Sequence, residues 1–261
     1  MTKFFFAFLL IIPAMSLAAK MPNNITASRS HALSTPMTVY THSLPPFNQI
    51  TVQGSGIRLK VVGGQKQYEL IIKGSTNQVG VKVQGNVLLI QGNGGTKPTD
   101  VTVWTDQVVD LQIKGNSLVQ ARQLGQLPMT VISDDASDVY ISGVVNLRQL
   151  IDEGSGNVMI YWVNSPELQL QSRGSGNIQL AGIVKVLHAR LSGHSNLDAP
   201  YLRVYTALIQ TMQNASAKVL ALNELDAFAG DHSNIYYYKA PKHLVSETQA
   251  YGNVLQLDYW N

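Results

Sequence analysis

The chain has 261 residues, of which 45% are hydrophobic and 13% are charged, a composition that excludes intrinsic disorder. The formal net charge is +3 and no dense run of Lys or Arg occurs, so nucleic acid is not expected as a partner. The absence of cysteine excludes disulfides, zinc–thiolate sites, thiol catalysis and an acylated N-terminal cysteine.

The N-terminal residues have the features of an export signal. Lys3 is a short positive region, Phe4 to Ile12 is an apolar run, and Ser16-Leu17-Ala18 is a small-x-small cleavage site. The alternative is a membrane anchor, but the apolar run is shorter than the roughly 20 residues that span a bilayer and is interrupted by Pro13. We predict a signal peptide at residues 1–18, and an exported bacterial protein, periplasmic or extracellular, whose mature chain has no transmembrane segment.

The segment after the signal differs in composition from the rest of the chain. Residues 19–46 are rich in Ser, Thr, Asn and Pro and show no apolar periodicity, which predicts a flexible leader. From Phe47 onward, short alternating apolar runs are separated by glycines, a pattern typical of strands rather than helices. We therefore expect a single all-β domain over residues 47–258.

A repeat of 19–20 residues runs through the second half of the chain. Its apolar anchors are Val119, Val139, Val158, Ile178, Leu197, Ile235 and Val254, with one imperfect repeat near residues 214–218. Apolar residues recur two positions after each anchor (Ala121, Ile141, Ile160, Leu180, Ala199) and five positions after it (Leu124, Val144, Val163, Ile183, Leu202). The period suits one coil of a parallel β-helix, in which such columns stack into a continuous core.

A polar residue directly precedes most anchors. This column consists of Asp138, Asn157, Asn177, Asn196, Asn234 and Asn253. Asn tolerates left-handed backbone at a turn, and stacked amides can hydrogen-bond along a column. We interpret the column as a structural turn ladder.

Charged residues form a second column five positions before the anchors: Lys114, Asp134, Glu153 and Arg173. One interpretation is an acidic metal or sugar site at Asp134, Asp135, Asp152 and Glu153. The interpretation we favour is an exposed ladder of ion pairs, each contributing about 0–1 kcal/mol, because each carboxylate of the column has a basic neighbour.

Two histidines offer another metal candidate. His194 and His232 fall in one turn column, with Asp231 beside the second, but one coil separates them. Twice the strand spacing is about 9–10 Å, too far for one metal ion. We therefore expect no catalytic residue, no metal site and no cofactor.

The stretch from Phe47 to about Leu257 resembles a bacterial family, the auto-transporter adhesin head domain or head GIN domain. The matching features are PFNQITVQGSGIRLKV, VQGNVLLIQG, TDVTVWTDQVVDLQIKGNSLVQA and the GSGN-apolar motifs at 154–158 and 174–178. The resemblance implies a short right-handed β-helix preceded by a sheet-like region, and a role in adhesion without a catalytic motif. The NASAK segment and Tyr236-Tyr237-Tyr238 depart from the family's glycine pattern.

Aromatic residues in or near the repeating strands are the candidate binding residues. They are Tyr140, Tyr161, Trp162, Tyr201 and Tyr237. Exposed aromatic rings provide platforms for sugars or proteins, although aromatic residues also cover turns and coil ends. The leading hypothesis is an exported, non-catalytic β-helix protein that binds a glycan or an envelope protein. The alternatives are a glycan-active enzyme, which requires paired carboxylates, and a self-associating envelope protein whose open coil ends pair.

Overall fold

The computed structural model describes residues 39–74, 76–95 and 97–257, which form a β-solenoid of about 7 turns. The strands are β1 (Val39–Ser43), β2 (Gln49–Val62), β3 (Glu69–Lys73), β4 (Val79–Gln84), β5 (Val87–Asn93), β6 (Thr99–Trp104), β7 (Asp110–Arg122), β8 (Met129–Ser133), β9 (Asp138–Ser142), β10 (Leu147–Asp152), β11 (Asn157–Gly174), β12 (Asn177–Gly193), β13 (Asn196–Thr211), β14 (Ser216–Ala229), β15 (Asn234–Tyr237), β16 (His243–Thr248) and β17 (Asn253–Gln256). A 3-10 helix, Thr76–Gln78, precedes β4. The predicted all-β solenoid is confirmed.

The anchors stack in one interior column. Strand pairing aligns Leu59, Val119, Val139, Val158, Ile178, Leu197, Ala217, Ile235 and Val254 in that order. Ala217 fills the imperfect repeat, 20 residues after Leu197 and 18 before Ile235. The column is buried throughout except at Val254, which is partly buried in the last coil.

Each coil contributes one segment to each of two parallel sheets that enclose this core. Sheet A contains residues 57–62, 118–122, 138–142, 157–161, 177–182, 196–202, 216–219, 234–237 and 253–256. Sheet B contains residues 49–54, 110–113, 129–133, 147–152, 164–174, 183–193, 203–211, 220–229 and 243–248. Because successive strand residues face opposite sides, sheet A has one buried and one outer face. In sheet B the alternation is interrupted once in a coil, for example at Pro166–Glu167 and at Tyr205–Thr206, where two consecutive side chains point outward.

The N-terminal part is a mixed sheet region, as predicted. β3 is antiparallel to both β1 and β6, and β4 is antiparallel to β5. β2 runs parallel to β5, β6 and β7, and thereby joins this region to the solenoid.

The boundary of the predicted leader needs correction. Val39–Ser43 lies within the predicted leader, residues 19–46, but forms β1, so ordered structure begins before Phe47. All five β1 side chains are exposed, and the strand is held by backbone pairing with β3. Because no side chain of β1 is buried, the sequence shows no apolar alternation that would reveal the strand. The predicted signal peptide, residues 19–38 and residue 258 lie outside the described residues.

Two connections link the sheets, and they differ in regularity. The asparagine corner leads from sheet B to sheet A through residues 133–138, 152–157, 172–177, 191–196, 211–216, 229–234 and 248–253. The irregular bend leads from sheet A to sheet B through residues 142–147, 161–164, 181–183, 199–203 and 219–220. Register shifts occur in this bend between neighbouring coils, and a further shift between β13 and β14 lies just beyond it, between Val204 and Thr206.

The irregular bend overturns part of the predicted core. Val144 and Ile183, expected inside, are exposed, while Val145 and Val184 are buried in their place. The register between β11 and β12 shifts after Tyr161, so the position five residues after an anchor does not face the same side in every coil.

The predicted turn ladder forms a column in the asparagine corner. Its members align coil by coil, and Ser216 takes the position between Asn196 and Asn234. Amide side chains bond across three coil boundaries: Asn157 Nδ2 donates to Asp138 Oδ1 at 2.9 Å, Asn196 Nδ2 to Asn177 Oδ1 at 2.7 Å, and Asn253 Nδ2 to Asn234 Oδ1 at 3.0 Å. The contribution of this ladder to stability stays a prediction.

Candidate functional site

The outer face of sheet A carries a groove that brings two predicted aromatic residues together. Strand pairing places Lys60, Gln120, Tyr140 and Met159 in one outward column, each directly after an anchor. Arg122, Ser142 and Tyr161 lie three residues after an anchor, on the same face. The groove between them has a volume of about 320 Å³, within the range of small-molecule sites.

The aromatic end of the groove is formed by Tyr140 and Tyr161. Tyr161 is 42% exposed, and its hydroxyl donates a hydrogen bond to Gln179 Oε1 at 3.1 Å. Tyr140 is half-buried and pairs across strands with Met159. The flat, apolar faces of such rings can contact the C–H surface of a sugar while their hydroxyls bond to its polar edge.

The basic end of the groove is formed by Lys60 and Arg122. Both side chains are exposed, and neither forms an ion pair within the described part of the chain. An adjoining depression of about 400 Å³ shares Lys60 and adds Lys73, Arg58 and Asp100. Because Asp100 is already bound by Arg58, with Nε 2.6 Å from Oδ1, the basic end keeps an excess of positive charge.

The remaining predicted aromatic residues lie elsewhere. Tyr201, 65% exposed, continues along sheet A beyond Ala181, which separates it from Tyr161 by one coil. Trp162, 67% exposed, lies in the irregular bend and does not line the groove.

Tyr237 requires a correction. It was expected on the aromatic surface, but it is only 8% exposed and belongs to the core. Tyr237 follows the anchor Ile235 by two residues, and this position is buried in every coil of sheet A except the last, where Gln256 is exposed. It is therefore removed from the candidate binding residues.

Sequence reasoning missed Lys60, Arg122 and Met159 as members of the groove. The signal was present in the repeat: Lys60 and Met159 follow an anchor by one residue, as Tyr140 does, and Arg122 follows one by three. Lys60 was overlooked because its anchor, Leu59, lies in the mixed N-terminal region, 60 residues before Val119.

The candidate acidic site is divided between the inside and the outside of the coil. Glu153 is exposed and lies 3.9 Å from Arg173, whereas Asp152 is fully buried. Asp134 Oδ1 accepts a hydrogen bond from the backbone N–H of Asp135 at 2.8 Å. Lys114 and Asp134 form no ion pair among the described residues, so the predicted charge ladder is present only at Glu153 and Arg173.

Asp152 is a buried carboxyl group in the asparagine corner. Its Oδ2 accepts a hydrogen bond from Ser172 Oγ at 3.3 Å, and its Oδ1 has no partner. Burial raises the pKa of Asp152 to about 6, with a smaller rise from Asp134, against the lowering effect of hydrogen bonds from Ser172 and the Gly154 backbone. Because it faces the interior, Asp152 cannot act with Glu153 on one substrate.

The histidine candidates do not converge. Backbone bonds align His194, Asn214 and His232 in successive coils, so one coil separates the two histidines. The His232 ring stacks on Tyr251 at 4.8 Å between centroids, and Asp231 Oδ2 accepts a hydrogen bond from the Gln213 backbone. Among the described residues, no group of three His, Asp or Glu side chains is placed to hold a metal ion.

No helix within the described ranges is long and apolar enough to cross a membrane.

Solved structures similar to this chain share its fold. A "putative adhesin" from Parabacteroides distasonis ATCC 8503 has a TM-score of 0.77 at 20% sequence identity. The match covers 85% of this chain and 97% of the adhesin's chain. One from Parabacteroides merdae ATCC 43184 has a TM-score of 0.73 at 18% identity, over 86% and 97%. A "putative lipid binding protein" from Parabacteroides distasonis has a TM-score of 0.73 at 15% identity, over 86% and 98%. At these identities the similarity shows the fold alone.

A search of curated proteins finds no match. A family model covers most of the chain: residues 46–241 match the model described as "Putative auto-transporter adhesin, head GIN domain". The matched range includes all but the last segment of each sheet, the turn ladder from Asp138 to Asn234 and every residue of the groove. The chain belongs to the head GIN domain family.

Proposed function

We propose that this protein is an exported, non-catalytic binding module of the bacterial cell envelope, and that it binds glycans along the outer face of sheet A. The observation that carries the proposal is the groove in which Tyr140 and Tyr161 lie beside Lys60 and Arg122. Family membership supports a binding or adhesion role, and the signal peptide predicted from the sequence at residues 1–18 supports export.

The chemistry of the groove supports binding rather than turnover. Lys60, Gln120, Arg122, Ser142 and the tyrosine hydroxyls supply hydrogen-bond donors, and Met159 and the tyrosine rings supply apolar contact. The lining contains no carboxylate that could act as a general acid or nucleophile on a glycosidic bond. A binding module of this kind uses its repeating strands as a rigid support for the exposed side chains.

A glycan array followed by titration calorimetry of the best ligand tests the proposal. We expect the double variant Tyr140→Ala/Tyr161→Ala to bind about tenfold more weakly, because two aromatic contacts of roughly 0.5–1.5 kcal/mol each are removed. Tyr205→Ala is the matched control, since Tyr205 is 54% exposed but lies in the sheet B part of β13. Absence of glycan binding by the wild type, or equal loss in the control, would reject the proposal.

A second candidate function is self-association through the C-terminal end of sheet B. All six residues of β16 are exposed, and within the described residues this strand pairs only with β14. Among the described residues, the edge of β16 that faces away from β14 has no partner strand, and Val245 is 61% exposed. Lys242 precedes the strand centre and Glu247 follows it, so antiparallel pairing of two copies would bring opposite charges close together.

Light scattering coupled to size-exclusion chromatography tests this second candidate. We expect a concentration-dependent dimer that Val245→Lys converts to a monomer. Val144→Lys is the control, because Val144 is exposed in the irregular bend, away from β16. A monomeric wild type at all concentrations would exclude this route of association.

A further inference from the structure

We infer that the groove on sheet A selects saccharides that carry carboxylate groups, such as uronic acid oligomers, over neutral saccharides. This inference rests on the proposed function, and it names the class of glycan that the groove fits. It follows from the separation of charge and aromatic surface along the groove.

The cations of the groove are free to meet a ligand. Lys60 and Arg122 form no ion pair among the described residues, and both side chains are exposed. Asp100 is paired with Arg58, and Asp138 Oδ1 accepts hydrogen bonds from the backbone N–H and Nδ2 of Asn157, both at 2.9 Å; neither acid lines the groove. Because the lining contains two cations and no acidic side chain, a carboxylate in the groove would meet positive charge.

The two cations complement each other chemically. The planar guanidinium of Arg122 can donate two parallel hydrogen bonds to one carboxylate, whereas the Lys60 ammonium acts as a mobile point charge. They border the groove from two different outward columns: Lys60 lies one residue after its anchor, and Arg122 lies three residues after. A ligand lying across the groove therefore contacts both.

The length of the groove fits an oligosaccharide. Lys60, Gln120, Tyr140 and Met159 belong to four adjacent strands, so the column spans three strand spacings, or about 14 Å. One end is cationic, the other is aromatic, and Gln120 and Ser142 between them can bond to hydroxyl groups. A chain of sugars can thus place a carboxylate against Lys60 and Arg122 while a neighbouring ring contacts Tyr140 and Tyr161.

Further along the same face, the charges are balanced. The outward column continues from Met159 to Gln179, Asp198 and Lys218, and the last two form an ion pair at 3.8 Å. The excess of positive charge is therefore confined to the end of the face that holds the groove. This restricts the anionic part of the ligand to that end.

The test compares a defined oligogalacturonate with its fully methyl-esterified form, which has the same sugar chain without the negative charges. In titrations of the mature protein at low salt, we expect the acid to bind about tenfold more tightly than the ester, as two exposed charge contacts allow. Added sodium chloride should reduce this preference, because it screens exposed charges.

The double variant Lys60→Gln/Arg122→Gln locates the effect. We expect its ratio of acid to ester affinity to fall to about one. The control is Lys185→Gln, which removes one exposed positive charge from the sheet B part of β12 and should keep the wild-type ratio. Thermal unfolding midpoints close to that of the wild type would show that the variants remain folded.

The possible outcomes separate the inference from the proposed function. Equal binding of acid and ester by the wild type would overturn the preference for carboxylates and leave glycan binding intact. Binding of neither probe, together with hits for neutral sugars on the glycan array, would likewise overturn the preference alone, whereas an empty array would overturn both proposals. Tighter binding of a single-stranded oligonucleotide, lost in the same double variant, would reassign the groove to another polyanion.

Discussion

The asparagine corner and the irregular bend perform the same task, joining the two sheets, and differ in how strongly they are specified. In the asparagine corner, backbone hydrogen bonds continue from coil to coil, for example from Asn177 N–H to the Gly156 carbonyl at 3.1 Å and from Asn196 N–H to the Gly176 carbonyl at 3.0 Å. In the irregular bend, the pairing register shifts between β11 and β12, between β12 and β13, and between β13 and β14. The asparagine corner therefore has the same length in each coil, because its backbone hydrogen bonds and tight packing leave no room for an extra residue.

Buried hydroxyl groups explain why the asparagine corner can be both polar and closed. Ser137 Oγ donates to the Gly115 carbonyl at 2.6 Å, Ser195 Oγ to the Ser192 carbonyl at 2.9 Å, and Ser233 Oγ to the Gly230 carbonyl at 2.7 Å. These bonds satisfy carbonyls that turn away from the sheet ladders. The irregular bend instead places Val144, Trp162 and Ile183 in solvent.

The largest effect should come from adding one carbon atom to the asparagine corner. A Cβ on Gly156 would overlap the backbone carbonyl of Ser137 in the coil below. We expect Gly156→Ala to lower the free energy of unfolding by about 3 kcal/mol, because the stacked coils cannot separate locally. Gly80→Ala is the control, since a Cβ there meets only ordinary contacts at 3.8 Å. Denaturant unfolding of both variants measures the difference, and equal midpoints would mean that the corner is not tightly packed.

The repeat could be predicted because the asparagine corner fixes its length. Asn, Gly and the following anchor recur there at 19–20 residues, and this pattern revealed the solenoid and its interior column. The irregular bend gave no such signal: Val144 and Val145 are chemically equivalent in the sequence, and only the register decides which of them is buried. The two tyrosines of the groove could be predicted, because aromatic residues are few among the repeating strands. Its two cations could not, because exposed Lys and Arg residues are common on any surface.

The second prediction concerns the buried acid of the asparagine corner. Burial raises the pKa of Asp152 from 3.8 to about 6, so ionised Asp152 is less stable in the folded than in the unfolded chain. The contribution of Asp152 to the free energy of unfolding should therefore be most favourable below pH 3.8. It should fall by about 2–3 kcal/mol as the pH rises from 3.8 through 6. Unfolding measured from pH 4 to pH 7 reports this slope.

Asp152→Ser provides the matched variant. Ser133 and Ser172 occupy the same interior column in the two adjacent coils, so a serine at position 152 repeats an arrangement that the fold already contains. We expect this variant to lose most of the decline between pH 4 and pH 7. Burial also raises the pKa of Asp110, so a smaller decline should remain. An unchanged slope would show that Asp152 is not the group responsible.

The third prediction addresses the amide ladder itself. Asn177→Leu removes the acceptor for Asn196 Nδ2 and should lower the free energy of unfolding by about 1–2 kcal/mol. Gln179→Leu lies two residues further on the same strand, on the outer face of sheet A. It removes only the exposed acceptor of the Tyr161 hydroxyl and should change the free energy of unfolding by less than about 0.5 kcal/mol. Thermal unfolding of the two variants compares them directly. If their midpoints coincide, the ladder aligns the coils without stabilising them.

The smallest effect is expected in the irregular bend, where a residue is held in an unfavourable backbone conformation. Trp162 has φ 72° and is 67% exposed, so its side chain gains little from burial while its backbone lies in the left-handed region. That conformation costs a non-glycine residue about 1–2 kcal/mol, and glycine relieves it at an entropic cost of about 0.5–1 kcal/mol in the unfolded chain. We expect Trp162→Gly to raise the free energy of unfolding by about 0.5 kcal/mol, whereas Tyr161→Gly, in the adjoining regular strand, should lower it. Denaturant unfolding measures the sign of the change in the free energy of unfolding. If Trp162→Gly lowers it as much as Tyr161→Gly does, the bend is specified as strongly as the asparagine corner.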